Sequence, residues 1–143
     1  EGENLKLDMM SKLEDMETCI SFIEERSPDI VTEYREKLMT KVAELIGDTN
    51  VDEHILVTEV TIYADKICTD EETVRLRSHI DGMKNTLDDK TDSVGRKLDF
   101  IAQEMNREAN TILSKANDIE VSDKAIDLKT NIEKIREQIQ NIE

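Results

Sequence analysis

The chain has 143 residues, with 34 Asp and Glu against 19 Lys and Arg for a formal charge of -15, and only 3 % aromatic residues. One domain, or part of one, is the expectation at that length. No Trp, two Phe, two Tyr, four Gly and one Pro leave little for the turns and aromatic-rich strands of a barrel or sandwich, which points to an all-α chain. In chain order, the first apolar stripe is Leu5, Met9, Leu13, Met16, Ile20 and Ile23, three or four residues apart, and predicts a helix ending near Arg26. Ser27 is placed as the N-cap of a second helix, with Pro28 at its first position, where the missing N–H costs nothing. Val31, Tyr34, Leu38, Val42 and Leu45 carry this helix to Gly47, which suits a C-terminal cap. The two are expected to form an antiparallel hairpin.

Asp48-Thr49-Asn50 reads as a polar turn. A third helix follows on Leu56, Val60, Tyr63 and Ile67, and the flanking Ile55, Val57, Ile62 and Ala64 widen its apolar band, so it is expected to be the most buried helix. Thr69 or Asp70 can cap a fourth, with Glu71 and Glu72 in its first turn and Leu76, Ile80, Met83 and Leu87 on its buried face. Residues 88–93 hold no apolar side chain and read as an exposed linker, dividing the chain into a four-helix region over 1–87 and a C-terminal hairpin over 94–143. A fifth helix is predicted over about 94–116. A sixth spans about 122–142 with a heptad seam of Ala125, Leu128, Ile132, Ile135, Ile139 and Ile142. That seam can pair within the chain or with another subunit. The whole reads as about six amphipathic helices in antiparallel hairpins, an elongated helical bundle. The charged fraction does not imply disorder, because the apolar residues keep helical spacing.

No apolar run approaches the roughly 20 residues that span a bilayer, and the start has no secretory pattern, so the chain reads as cytoplasmic with no membrane partner. Cys19 and Cys68 lack metal-ligand spacing and read as small buried hydrophobes rather than a bridge. The chain begins at Glu1 in helix-like sequence without Met, which reads as a fragment of something longer.

Two clusters offer chemistry. Around the fifth helix, Leu98, Ile101, Ala102, Met105, Ala109, Ile112, Leu113 and Ala116 fall on one side. Arg96, Asp99, Gln103, Asn106, Arg107, Asn110 and Ser114 fall on the other, with Lys97, Glu104, Glu108 and Lys115 on one flank. Planar guanidinium and amide groups suit phosphate or base recognition, although a polar helix interface has the same pattern. Residues 95–115 carry four basic against three acidic side chains inside a strongly acidic chain, whose overall charge by itself argues against nucleic acid. On the fourth helix, Glu72, Arg75 and His79 share one side. A histidine near a carboxylate can act as general acid or base and an arginine can stabilise developing phosphoryl charge, but the same spacing fits an ordinary boundary histidine. His54, in a charged turn, is a weaker candidate.

The run Gly95-Arg96-Lys97-Leu98-Asp99-Phe100, continuing through Gln103-Glu104-Met105-Asn106-Arg107-Glu108-Ala109-Asn110-Thr111 to Ser114-Lys115, resembles the C-terminal signature of the YicC/YloC family of bacterial endoribonucleases. The ending Ile135-Arg136-Glu137-Gln138-Ile139-Gln140-Asn141-Ile142-Glu143 is also similar, as are Glu59-Val60, Ala64-Asp65-Lys66, Glu71-Glu72 and Arg75-Leu76-Arg77-Ser78-His79. Glu1-Gly2-Glu3-Asn4-Leu5 resembles the start of the family's long helical half, so the family's N-terminal half is expected to be absent here. The resemblance implies cleavage of single-stranded RNA with a divalent metal, Mn²⁺ or Mg²⁺, in a homo-oligomer. It implies His79 as general acid or base beside Glu72 and Arg75, Asp99, Glu104 and Glu108 as metal ligands, and Glu104 and Glu108 as catalytic carboxylates. Arg96, Lys97, Arg107 and Lys115 become phosphate contacts, and Gln103, Asn106 and Asn110 position the substrate. Attack by a metal-bound hydroxide or by the neighbouring 2′-OH both stay open, the carboxylates favouring the first. A non-catalytic scaffold or oligomerising segment that binds RNA-decay proteins is the rival expectation.

Overall fold

A computed structural model describes residues 2–47, 52–89 and 94–142. Among them are five helices and no strand: α1 (Gly2–Ile46), α2 (Glu53–Ile67), α3 (Asp70–Leu87), α4 (Val94–Lys115) and α5 (Ile119–Gln140). The turn expected at Asp48-Thr49-Asn50 and most of the 88–93 linker lie outside the described residues.

The first two predicted helices are one. Ser27 does not cap a new start: its Oγ donates back to the Ile23 carbonyl at 2.7 Å, and α1 runs through Pro28. Proline removes one helical N–H and crowds the preceding turn, but Ile23 on one side of it and Ile30 on the other both enter the core. Arg26 also spans the position, reaching Glu33 at 2.5 Å. Tertiary packing therefore overrides the local stop signal, and the count falls from about six to five. At the far end the reading of Gly47 holds. It adopts φ +66, a conformation in which a side chain would be strained, and its N–H closes on the Ala43 carbonyl at 2.9 Å.

α1, α3, α4 and α5 pack as a ring in which each helix touches the next and α5 returns to α1. Polar pairs give the directions. Glu17–Lys84 and Glu24–Arg77 make α1 antiparallel to α3, and Glu72–Lys115 with Arg75–Glu108 do the same for α3 and α4. Asp99–Arg136 runs α4 against α5, and Asp8–Gln138 with Arg26–Asp118 closes the ring. This is an up-down-up-down four-helix bundle. Its centre holds Leu13, Met16 and Ile20 of α1, Leu76 and Ile80 of α3, Leu98, Met105 and Ile112 of α4 and Leu128 and Ile135 of α5, all inaccessible to solvent. The heptad seam of α5 is thus spent inside the chain from Ala125 to Ile139, while Ile142, beyond the end of the helix, is exposed, and the helices on either side of residues 88–93 share one core.

Beyond Ile30, α1 leaves the bundle and pairs with α2 alone, so residues 30–46 and α2 form a two-helix arm. Tyr34 and Tyr63 stack at its base, centroids 3.7 Å apart. α2 was expected to be the most buried helix and is the least: only Leu56 is buried, while Ile55, Val57 and Ile62 are more than half exposed. Its apolar band is real, but one neighbour cannot cover it. Cys19 is buried as expected, and burial pushes its thiol pKa up; Cys68, at the C-terminal end of α2, is exposed instead.

Candidate functional site

The fourth-helix cluster and part of the fifth-helix stripe meet in the groove between α3 and α4. Thr69 is the N-cap of α3 but makes no capping bond with its side chain. Glu72, in the first turn of α3 as expected, is nearly buried and accepts from Lys115 Nζ at 3.1 and 3.2 Å. Lys115 also donates to the Cys68 carbonyl at 3.0 Å, tying the α2–α3 junction to the end of α4. One turn along, Arg75 donates through Nε to Glu108 Oε1 at 3.1 Å and faces Glu72 at 3.4 Å.

Glu72 and Glu108 side chains are 5 % and 9 % exposed, whereas Arg75 is 49 % exposed. The guanidinium is therefore held from below by two nearly buried carboxylates, with the exposed Glu71 3.7 Å from its Nη1, and about half of the side chain is open to solvent. Glu108 holds its pKa above the ordinary arginine value. Two cations offset the two nearly buried anions, which is how acidic groups survive at a helix interface. Carrying the antiparallel register of 75 opposite 108 one turn further brings His79, half-buried on α3, level with Glu104. Glu104 is loosely paired with Arg107 at 3.8 Å.

The trio expected to hold a metal does not assemble. Asp99 is turned toward α5, with Arg136 Nε 3.5 Å from its Oδ1 and Gln103 Nε2 donating to Oδ2 at 2.9 Å; Glu108 points to α3. Nine residues of helix put the two about half a turn apart in direction. The Oδ1 of Asp99 is buried without a hydrogen bond, but its cation is already supplied by Arg136. Among the described residues no group of three or more His, Cys, Asp or Glu side chains is placed to hold a metal ion.

Of the expected RNA contacts, Arg96, Lys97, Gln103, Arg107 and Asn110 are exposed and Asn106 is half-exposed. Lys115 belongs to the Glu72 network, so it is a tie within the groove rather than a free cation. Asn110 Oδ1 accepts from Lys129 of α5, which leaves its amide NH₂ outward-facing chemistry. His54 is exposed in the first turn of α2, where its backbone N–H donates to the cap Asp52, and stands apart from the groove. What spacing on single helices could not reveal is the pairing of Glu72 and Glu108 across α3 and α4; a mixed-charge stripe on each helix was the available sign.

A four-helix bundle with an anchored arginine in one groove and a basic, amide-rich face beside it is the class of protein this fold defines. Residues 23–143 match the family described as endoribonuclease YicC-like, C-terminal, and the chain belongs to that family. It is 49 % identical over 144 residues, all of this chain, to a protein named probable endoribonuclease YicC from Clostridioides difficile (strain 630). It is 35 % identical over 143 residues to one of the same name from Haemophilus influenzae (strain ATCC 51907 / DSM 11121 / KW20 / Rd). The chain spans 49 % of each of these curated relatives. Among the described residues no helix is long and apolar enough to cross a membrane.

Proposed function

We propose that this chain is the segment of an endoribonuclease that receives single-stranded RNA on the outer face of α4 and brings a phosphodiester to the α3–α4 groove. The observation that carries the reading is the anchoring of Arg75 by two nearly buried carboxylates while half of it stays open. Ion pairs removed from water are weak stabilisers of a fold, so what this network supports is a fixed direction for the guanidinium. So fixed, Arg75 offers planar donors to a phosphate and to the charge that grows on it during attack.

His79 is the candidate base. It takes the proton of the neighbouring 2′-OH, the 2′ oxygen bonds to phosphorus, and the 5′ oxygen departs and is protonated by solvent. The products are a 2′,3′-cyclic phosphate and a 5′-OH, and DNA is not a substrate. Arg96, Lys97 and Arg107 hold the backbone, and Gln103 and Asn106 orient it. Assistance by Mn²⁺ or Mg²⁺ stays in the proposal as an ion whose ligands lie outside the trio Asp99, Glu104 and Glu108.

The test is cleavage of end-labelled single-stranded RNA by the full-length protein with Mn²⁺, Mg²⁺ or EDTA, beside His79→Ala and Arg75→Lys. Each substitution is expected to slow cleavage about a hundredfold, the scale of one acid–base or charge-stabilising group, with helicity unchanged. Unchanged cutting by both variants would overturn the site, and no cutting by any preparation would overturn the nuclease reading. One observation favours a second reading, a scaffold or oligomerising segment: the open groove of about 350 Å³ on the arm, lined by Leu38, Val42, Ile46, Ile55 and Leu56. A further copy of the chain, or an RNA-decay protein, is the proposed occupant, and sedimentation of an Ile55→Lys variant distinguishes assembly from catalysis.

A further inference from the structure

Phe100 is 62 % exposed, the one large hydrophobic side chain so exposed among the described residues of α4. The other Phe of the chain, Phe22, is half-buried with Lys124 Nζ 5.1 Å from its ring centroid. A ring left in water gains nothing for the core, and the buried side of α4 is complete without it. Its surroundings are polar. Turning 100° per residue, Arg96, Gln103, Arg107 and Ser114 lie within about 60° of Phe100 on one side, and Lys97 and Glu104 lie as close on the other.

Arg96 is one turn before the ring and Arg107 two turns after it, so the two guanidinium stems are about 16 Å apart along the axis with the ring between them. Among the described residues neither Arg96 nor Lys97 takes part in an ion pair. Arg107 meets only Glu104 of its own helix at 3.8 Å and is 74 % exposed. The chain's other arginines contrast with these: Arg26, Arg35, Arg75, Arg77 and Arg136 each face a carboxylate on another helix. An isolated ring is too small for an apolar protein interface, which needs a contiguous patch. It is the right size for one base, and the free cations beside it are what a phosphate chain requires.

We propose that Phe100 is a stacking platform for an unpaired nucleobase of RNA, with Arg96 and Arg107 taking the phosphates on either side. The inference rests on the RNA-cleaving reading and adds to it the contact that selects single strands. Every base has a π face, but in a duplex both faces are covered, so the ring accepts any unpaired base and rejects paired ones. The strand then runs along α4, whose Glu104 flank faces the groove of Arg75 and His79.

The test is fluorescence anisotropy of the full-length protein with a labelled single-stranded RNA and with a blunt-ended duplex of two strands, for Phe100→Leu, Phe100→Trp, Arg107→Gln and an exposed control, Ile126→Ala. Phe100→Leu should weaken single-strand binding about tenfold, the scale of one base–aromatic stack, with duplex binding and melting temperature unchanged; Phe100→Trp should keep wild-type affinity. The slope of log affinity against log salt should be unaltered in Phe100→Leu and fall by about 0.7 in Arg107→Gln, the value for one phosphate contact on a single strand. If the wild type binds single strands and Phe100→Leu binds them equally well, the stacking role is overturned and the nuclease reading stands. If the wild type binds no single strand, the reading beneath it falls. If Phe100→Leu keeps RNA affinity but changes the sedimentation of the protein, the ring is a protein contact and the proposal is wrong.

Discussion

In the bundle, α4 places Leu98, Ala102, Met105, Ala109 and Ile112 wholly out of solvent, although its sequence is studded with Arg, Asn, Gln and Glu. In the arm, α2 has the denser apolar sequence and buries Leu56 alone. The two differ in neighbours: α4 lies between α3 and α5, whereas α2 packs mainly on α1 and meets the bundle only at its C-terminal end, through Tyr63 and Ile67. Apolar spacing reports which face of a helix can be buried. How much of it is buried depends on how many surfaces arrive, and that is a property of the tertiary arrangement.

The strongest way to break this comparison is to remove the same kind of side chain from each part. Met105→Ala or Leu76→Ala is expected to cost about 2–5 kcal/mol in urea unfolding, because the site cannot fully collapse; Ile55→Ala or Ile62→Ala, already half in water, should cost under about 0.5 kcal/mol in the unassembled protein. Equal losses would mean that the arm's apolar face is covered in solution. Next in size is Glu108→Gln, which removes the charge of Arg75's shortest partner. Melting temperature and cleavage should both fall, and the double variant Glu108→Leu with Arg75→Met should regain melting temperature without regaining cleavage, since an apolar pair can replace an ionic one at a helix interface.

The third test is acid. Arg26 joins bundle to arm by holding Asp118, the N-cap of α5, at 3.0 Å and Glu33 at 2.5 Å. Both carboxyls are held below their ordinary values, Asp118 from 3.8 and Glu33 from 4.5, first by hydrogen bonds from Arg26. A depressed folded pKa adds stability that is fully present above the unfolded value and lost as pH falls through the folded one. Stability should therefore be flat in these groups above about pH 5 and fall below about pH 4, and Asp118→Asn should remove part of that acid limb in urea titrations between pH 2 and 7. Smallest is Arg35→Ala: its 3.7 Å pair with Glu53 is exposed on both sides, so the change should be under about 0.5 kcal/mol by thermal melting.

The all-α class, the buried faces of α3 and α4, the Gly47 cap and the family were legible in residue spacing and motif. The continuity of α1 through Ser27-Pro28 was not, because the proline's local cost was outweighed by Ile23 and Ile30 packing in one core. Nor was the burial of α2, for want of a second neighbour. In the site, Glu72, Arg75 and Glu108 were singled out on their own helices and do meet, in a network that also takes Lys115 from the RNA face. Asp99 was grouped with Glu104 and Glu108 on what the resemblance implied; about half a turn of helix and Arg136 separate it from them.

α1 is at once a wall of the bundle and half of the arm, with Pro28 where it crosses from one to the other. Mechanically that makes it a lever with its fulcrum at the tyrosine stack and the Arg26 clasp. Residues 28–46 extend about 27 Å, so a tilt of about 10° at the proline sweeps the tip through about 5 Å. A small rotation among the core side chains would reach whatever grips the arm as a displacement of nearly one helical turn.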